Sequence, residues 1–371
     1  MIVPEKLILI TSDIYSDARV DALEKFINGN VFGYHIIKVQ EQDINPHSTK
    51  IKNKTIKYLV KQNISTNVFD KLFSLKVKNG IKKIKHKKKN IGKYKRINNL
   101  VKRFNAKAIF CMNETSLYSV IRAREKFGFG AKIIFVPDTF TFDKANTLLG
   151  ADKYIVENFA FKDSLAKQGV EKDNIIIQKF PLKDSAFFDE SILECKQMFN
   201  LEGNTIMLNG SSIGCKKIIG ILKILIEIKD RFNIVVYLGE NEKLYERLSN
   251  YKEKNNLLNV RLFTNINNFE KLFFASDLII SVYDINVFYL AKIYNKQLIV
   301  FAPNRDIEQK DYEYLSKHNE LVYSKDVEGA VTKVFKLINN DNKGNIESVE
   351  ELKSSTVSFA NCIIDLIGKV D

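Results

Sequence analysis

The feature that most constrains this chain is a repeated order of short apolar run, small-residue loop and helix, present in both halves. In the second half, the apolar run 205–209 leads into GSSIG at 210–214 and then into a helix rich in Lys, Ile and Leu. The run 233–237 leads into GEN at 239–241 and then into a charged helix. Parallel strands joined by helices bring such loops to one edge of a sheet, where open α/β folds bind ligands.

This alternation predicts two tandem Rossmann-like α/β domains, each with a parallel sheet covered by helices on both faces. A length of 371 residues suits two domains of ordinary size, and 45% hydrophobic residues can fill two cores. A sharp stop at 180–182 (Phe-Pro-Leu) divides the chain into an N-terminal domain, 1–186, and a C-terminal domain, 187–371, which includes a final helix over 355–367. Two such domains imply a cleft between them, where ligand pockets commonly lie.

The apolar runs also predict where the individual strands lie. In the N-terminal domain the predicted strands are 6–11, 34–39, 108–111, 132–137, 154–156 and 175–178. In the C-terminal domain they are 205–209, 233–237, 260–263, 278–281 and 298–301. Helices are predicted between them, and a polar, basic insertion over 47–104 interrupts the first domain.

Composition excludes several other classes of protein. Four widely spaced cysteines predict buried, reduced thiols and no disulfide framework, and four scattered histidines argue against a His-based metal site. No run reaches the about 18 apolar residues of a membrane-spanning helix. The first apolar run, Lys6–Thr11, is too short for the core of a signal peptide. We therefore expect a cytoplasmic protein that needs no metal and no cofactor.

The basic insertion contains a dense stretch over residues 81–103, in which 11 of 23 residues are Lys or Arg and none is acidic. Interspersed apolar residues give it the composition of a basic amphipathic helix. Docking on anionic membrane lipid, a solvated helix face and nucleic-acid binding are all open interpretations. The single aromatic residue, Tyr94, argues against a stacking platform for nucleic acid. We therefore predict an anionic membrane lipid as partner and a peripheral position on the inner face of the membrane.

Loops after three predicted strands of the second domain hold the candidate residues for binding a nucleotide. Backbone N–H groups at a glycine turn and at a helix N-terminus bind phosphate, and hydroxyl or guanidinium groups add donors. Each loop has an equally simple structural interpretation, in which the glycine serves a tight turn and the polar residue caps a helix. The candidates are Gly210, Ser211, Ser212, Gly214, Gly239, Asn241, Arg305 and Glu308.

One candidate catalytic residue lies in the first domain. Asp138 follows Phe135-Val136-Pro137 at the end of a predicted strand. A carboxylate there could act as a general base on an acceptor hydroxyl. A role in a turn or a helix cap fits the same position equally well.

Six segments, taken in their order along the chain, carry a resemblance to a known group of enzymes. They are VPD at 136–138, ADKYIVEN at 151–158, LAKQGVEKDNIIIQKFP at 165–181, MLNGSSIG at 207–214, VVYLGENEKL at 235–244 and SDLII at 276–280. Roughly residues 6 to 340 resemble the bacterial diacylglycerol glucosyltransferases and plant-type monogalactosyldiacylglycerol synthases, which are family 28-like members of the GT-B superfamily. The resemblance implies two Rossmann-like domains, a UDP-sugar donor held mainly by the second, and a lipid acceptor approached from the membrane by the first.

Several loops depart from that family's pattern. Residues 14–18 stand where the family has a Gly-x-Gly-His turn, and residues 139–142 stand where it has a later His. Residues 284–285 replace a Gly-Gly turn, and Leu290 replaces a ribose-binding Glu. Ile307 replaces the Gln of a Gln-Glu pair. A Leu cannot accept hydrogen bonds from ribose, and side chains at a former Gly-Gly turn crowd a diphosphate. Asp13 or Asp17 could replace the missing base, and Asn286 could contact ribose.

Two functional hypotheses stay open. The first is an inverting glycosyltransferase that moves a sugar from a UDP-sugar to a lipid or cell-envelope acceptor, with Asp138 on the acceptor side. The second is a catalytically degenerate GT-B homologue, a pseudoenzyme, that serves as a membrane-associated binding or assembly protein. The first requires that the loop 210–214 still faces a crevice able to hold a pyrophosphate, and that Tyr283, Ile285 or Leu290 does not fill it.

Overall fold

The computed structural model shows two compact α/β units. It describes residues 5–11, 18–30, 34–40, 44, 83–137, 150–182, 184–210, 213, 215–225, 232–282, 285–301, 306–318, 321–324, 326–338 and 354–367. The first unit takes the described residues up to Asp184 together with the C-terminal helix, and the second takes those from Ser185 to Ile338. Among the described helices, none combines the length and apolar character that crossing a bilayer requires.

The first unit is built on a parallel sheet of six described strands in the order β2-β1-β3-β4-β5-β6. Its elements are β1 (Glu5–Thr11), α1 (Ala18–Asn30), β2 (Tyr34–Gln40), α2 (Lys83–Phe104), β3 (Ala108–Cys111), α3 (Glu114–Phe127), β4 (Lys132–Phe135), β5 (Lys153–Val156), α4 (Phe159–Ala166) and β6 (Ile175–Ile177). In β3, Ala108 and Phe110 join the core on one face of the sheet, and Ile109 and Cys111 join the core on the other. Because both faces are covered, the strand reads as a continuous apolar run.

The second unit also has six described parallel strands, in the order β12-β11-β10-β7-β8-β9. Its elements are α5 (Ile192–Met198), β7 (Thr205–Asn209), α6 (Cys215–Leu225), β8 (Asn233–Tyr237), α7 (Glu242–Lys254), β9 (Val260–Phe263), α8 (Phe269–Ala275), β10 (Leu278–Ser281), α9 (Ile285–Ile293), β11 (Gln297–Phe301), α10 (Asp306–Lys317), β12 (Val322–Ser324) and α11 (Val327–Ile338). Renumbered within the unit, this is the 3-2-1-4-5-6 order of a Rossmann sheet, which reverses direction between β7 and β10.

In both units, an aspartate at the amino edge of the sheet links two neighbouring strands through the same set of hydrogen bonds. Asp152, just before β5, accepts from Ile133 N at 2.7 Å and from Arg124 Nη1 at 2.5 Å. Asp277, just before β10, accepts from Thr205 N at 2.8 Å and from Lys196 Nζ at 2.9 Å. In each unit the aspartate's own N–H donates to the carbonyl of the same strand residue that donates to its carboxylate. The edge of each sheet is thereby fixed by one short acidic side chain.

The final helix, α12 (Ser355–Ile367), belongs to the first unit, which corrects its predicted place in the C-terminal domain 187–371. Phe359, Ala360 and Ile363 lie on one stripe of α12 and enter the core formed by α1 and the sheet. The ring of Phe359 lies 5.6 Å from that of Phe180. An apolar stripe indicates that a helix packs on a core, but it does not indicate which core. Because the chain has two similar cores, the position of α12 in the sequence could not show to which unit it belongs.

Candidate functional site

The carboxyl edge of the second sheet is held together by polar side chains at the point where the strand order reverses. Asn209 ends β7 and Ser281 ends the neighbouring β10. Asn209 Nδ2 donates to Ser281 Oγ at 3.1 Å, and Ser281 Oγ donates to the carbonyl of Val282 at 2.6 Å. Both side chains are buried. This reversal point is where Rossmann folds bind ligands, so the site begins at these residues.

Gly210 is the first residue of the predicted phosphate loop, and its close packing favours glycine. Its N–H lies 2.7 Å from the carbonyl of Tyr237 in β8. A Cβ on this residue would lie 3.0 Å from that same carbonyl oxygen and from Cδ1 of Ile218. A side chain here would therefore require the backbone of β8 or the side chain of Ile218 to shift by a few tenths of an ångström. Ile213, three residues on, is buried in the core of the unit and anchors the loop near its end.

The helix that follows the loop begins with positive charge. The first turn of α6 contains Lys216 and Lys217 and no acidic residue. Lys216 is exposed and Lys217 is half-buried. Burial lowers the pKa of the Lys217 ammonium. Because a helix N-terminus already carries a partial positive charge, lysines there are unfavourable unless an anion is present.

Gly239 and Asn241 have the structural roles that their residue types suggest. Gly239 has a φ of +56° in the turn after β8, and its carbonyl accepts from Asn265 N at 3.1 Å. Asn241 is the N-cap of α7, where its side chain accepts from Leu244 N at 3.2 Å. These contacts account for both residues without a ligand.

Several predicted site residues lie outside the described part of the chain. They are Asp138, Ser211, Ser212, Gly214, Arg305 and, among the alternatives considered, Asp13, Asp17 and Tyr283. Glu308 falls in the first turn of α10, and only its backbone is described. Leu290 is buried in α9, and its side chain offers no hydrogen-bond acceptor.

The basic stretch forms a helix whose apolar side packs on the first unit. In α2, Ile97 and Val101 are buried in the same core as residues of α3, and three further apolar side chains pack against it: Tyr94, Leu100 and Phe104. The exposed side chains of this half of α2 include Lys95, Arg96, Lys102 and Arg103. Over residues 91–104, therefore, most of the apolar component serves the core, and the solvent face is mainly basic.

A second concave surface lies in the first unit, beside the end of β6. It is an open groove of about 440 Å³ between Gln178 and the outer face of α12. Burial raises the pKa of its only thiol, Cys362, to about 11, so that thiol is protonated at neutral pH. The strand order of the first sheet reverses between β1 and β3, and the groove lies at the opposite end of the sheet.

The sequence interpretation did not identify three residues of the site: Asn209, Ser281 and Lys217. The first two each end an apolar run with a polar residue, which is the available signal. Their hydrogen bond joins positions 72 residues apart. A local pattern therefore gave no reason to pair them.

Comparison with known proteins identifies the fold. No protein-family model matches the sequence, and no curated protein matches it. Among solved structures, Staphylococcus aureus MnaA crystallised with UDP has a TM-score of 0.63 at 13% identity, covering 99% of this chain and 98% of that one. A UDP-GlcNAc 2-epimerase from Neisseria meningitidis bound to UDP-GlcNAc has a TM-score of 0.60 at 12% identity, covering 97% and 100%.

MurG from Acinetobacter baumannii is similar over the same extent, with a TM-score of 0.59 at 12% identity and coverage of 99% of this chain and 100% of that one. At such low identity the similarity establishes architecture and not activity. These neighbours are GT-B proteins that cover almost the whole chain. The protein accordingly has a GT-B-type fold made of two Rossmann-like α/β units.

Proposed function

We propose that the protein binds a UDP-sugar at the carboxyl edge of its second sheet and transfers the sugar to a lipid or cell-envelope acceptor. The observation that carries this proposal is the reversal of strand order between β7 and β10, with Gly210 packed against Tyr237 just before the lysine-bearing start of α6. Similar folds crystallised with UDP or UDP-GlcNAc support the choice of ligand.

The proposed chemistry is a single displacement with inversion. The N-terminus of α6, with Lys216 and Lys217, stabilises the negative charge of the diphosphate as it leaves. Asp138 takes the proton of the acceptor hydroxyl, whose oxygen forms the new bond to the anomeric carbon while the bond to the UDP oxygen breaks. Loop residues 211, 212 and 214 would supply further donors to the diphosphate.

The proposed acceptor is lipid, after the diacylglycerol glycosyltransferases that the sequence resembles. The basic solvent face of α2 supports a peripheral position on an anionic membrane, since each Lys or Arg near such a surface contributes about 1 kcal/mol. Most of the apolar side chains of its C-terminal half pack on the core, so the expected contact is electrostatic and not insertion.

Vesicle sedimentation tests this contact. Lys95, Lys102 and Arg103 are changed to Gln together, and the matched control changes Lys243, Arg247 and Lys254, which are equally exposed on α7. The α2 variant should lose about a hundredfold in affinity for vesicles containing anionic lipid, since three charges of about 1 kcal/mol each are removed, and the control should lose far less. Equal losses would show that net charge, and not this face, determines binding.

A second candidate function is supported by Leu290. A buried Leu where the resembled family grips ribose fits a homologue that keeps the scaffold without turnover and serves as a membrane-associated assembly protein. Such a protein would bind UDP-sugars weakly or not at all.

Calorimetry with UDP, UDP-glucose and UDP-GlcNAc separates the two functions. The test variant is Gly210→Ala, which places a Cβ 3.0 Å from Tyr237 O. The matched control is Gly220→Ala in α6, whose Cβ meets only Val327 at an ordinary 3.5 Å. Submillimolar binding that is lost in G210A and kept in G220A supports the donor site. Absence of binding by the native protein at millimolar concentrations would leave only the non-catalytic function.

A further inference from the structure

The outer edge of β2, the last strand in the described order of the first sheet, is bonded to a side chain of the preceding helix, α1. Ile36 N donates to Asn28 Oδ1 at 2.6 Å, and Asn28 Nδ2 donates to Ile36 O at 3.3 Å. A residue of a neighbouring strand would use the same N–H and C=O groups. The Asn28 amide therefore stands where a further strand would add to the sheet.

A second side chain of α1 reaches the same strand. Asp21 lies seven residues before Asn28, two turns away on the same face of the helix, and forms an ion pair with Lys38. The backbone groups of a strand alternate in direction, so Lys38 presents its N–H and C=O to the same edge as Ile36. Asn28 is itself exposed. The outer edge of β2 is thus contacted by side chains of α1 and borders solvent.

The opposite edge of this sheet has a related arrangement. Because Gln178 N donates to Val156 O in β5, alternation directs the backbone groups of Ile175 in β6 outward. Ile175 N donates to Lys172 O, and Ile175 O accepts from Lys162 Nζ at 3.0 Å. Lys162 lies in α4, the helix that comes before β6, as α1 comes before β2. At both edges, a side chain of the preceding helix satisfies backbone groups that a further strand would use.

We propose that the outer edge of β2 is an interaction surface for the β2 strand of a second copy of this chain, and that the Asn28 amide keeps it closed. Every copy carries the same edge, and a two-fold axis brings two such edges together antiparallel. An antiparallel pair exchanges backbone bonds at alternate residues, here through the outward groups of Ile36 and Lys38 near the middle of β2. While Asn28 holds the groups of Ile36, that pair lacks its central bonds. The inference does not depend on the proposed function.

Sedimentation equilibrium of the native protein and three variants tests this surface. Asn28→Ala should raise the weight-average mass toward twice the native value with rising concentration, with self-association at least about tenfold tighter than native. Asn28→Asp keeps an acceptor for Ile36 N and adds a charge at the edge, so it should behave as the native protein does. Asn99→Ala, at an exposed asparagine of α2, is the matched control and should also match the native protein. Circular dichroism confirms that each variant is folded.

Two further measurements identify the edge itself. The Ile36 amide proton should exchange slowly in the native protein, about tenfold faster in dilute N28A, and slowly again in concentrated N28A, where the strands pair. Asn28→Ala/Lys38→Pro should not associate, because proline fits an edge strand but donates no hydrogen bond. The inference is wrong if N28A associates no more than the native protein or N99A, or if N28A/K38P associates as strongly as N28A. Fast exchange of the Ile36 amide in the native protein would also overturn it.

Discussion

The two units are alike at the amino edges of their sheets and different at the carboxyl edges. Asp152 and Asp277 make matching bonds to a neighbouring strand and to one basic side chain. At the carboxyl edge of the first unit, Asn113 and Asn158 cap the helices that follow β3 and β5. In the second unit, Asn241 likewise caps the helix that follows β8, whereas β7 leads into Gly210 and α6 has two lysines in its first turn. The amino edges are thus concerned with folding, and among the described carboxyl-edge connections the one from β7 to α6 is distinguished by its lysines.

The largest expected effect is on stability, and it tests whether the aspartates at the two amino edges have the same role. Asp277→Ala leaves Thr205 N without its acceptor and the largely buried Lys196 without its carboxylate. We expect a loss of about 2–4 kcal/mol in the stability of the second unit, since Thr205 N loses its acceptor and the Lys196 ammonium keeps its hydrogen bond to the carbonyl of Gly203 but loses its counter-charge. Asp152→Ala should destabilise the first unit by a similar or smaller amount, because its ion pair is more exposed.

Urea unfolding followed by hydrogen exchange measures the two changes separately. Amides of β7 and β10 should lose protection in D277A, and amides of β4 and β5 in D152A. Loss of protection in the same unit for both variants would contradict the idea that each aspartate serves its own sheet.

These two aspartates also show what the sequence could and could not reveal. The segments ADKYIVEN and SDLII contributed to the resemblance, and the structure places their aspartates at the amino edges of their own sheets. These two segments therefore indicate the fold and not the binding site. The fold is confirmed as two Rossmann-like units of GT-B type. Strands β3, β7, β8, β9 and β10 have the predicted bounds. Of these, β3, β7 and β10 are buried along their whole length, and buried parallel strands read as largely apolar runs.

What the sequence did not reveal depends on contacts between distant residues. The three-residue strand β12 is too short to produce a pattern. The sequence did not show which side of α2 packs on the core, because the buried side includes the polar residues Lys93 and Asn98 as well as Ile97. The loop residues predicted to bind phosphate remain predictions, and the structure adds Asn209 and Ser281, whose pairing required coordinates.

A smaller effect is expected at Lys296, which lies at the amino edge near Lys196 and Asp277. Burial lowers the pKa of Lys296 to about 8, against 10.5 for an exposed lysine. Between these two values the unfolded chain binds more protons than the folded one, so stability should rise with pH from about 8 to about 10.5. Lys296→Met should remove this rise and stabilise the protein at pH 7 by about 1–3 kcal/mol, because the buried charge is gone.

Urea titrations at pH 7, 8, 9 and 10 check the Lys296 prediction. The exposed Lys336 in α11 provides a matched control, because Lys336→Met should leave the pH profile as it is. A native profile that is flat over this range would show that the Lys296 ammonium is better solvated than its burial indicates.

The smallest effect tests the contrast at the carboxyl edges. Lys217→Gln removes a half-buried charge from the first turn of α6, and Lys216→Gln removes an exposed one. If UDP binds there, K217Q should lose about tenfold in affinity and K216Q two- to threefold, because bulk water screens the exposed charge more strongly. Burial lowers the pKa of Lys217, and a bound diphosphate would raise it again, so binding should take up a fraction of a proton over the pH range in which Lys217 titrates and weaken as pH rises through that range. Calorimetry in two buffers of different ionisation enthalpy measures this uptake, and K217Q should abolish it. Equal proton uptake in the native protein and K217Q would show that the titrating group lies elsewhere. The two lysines at the start of α6 would then have no role in binding the diphosphate.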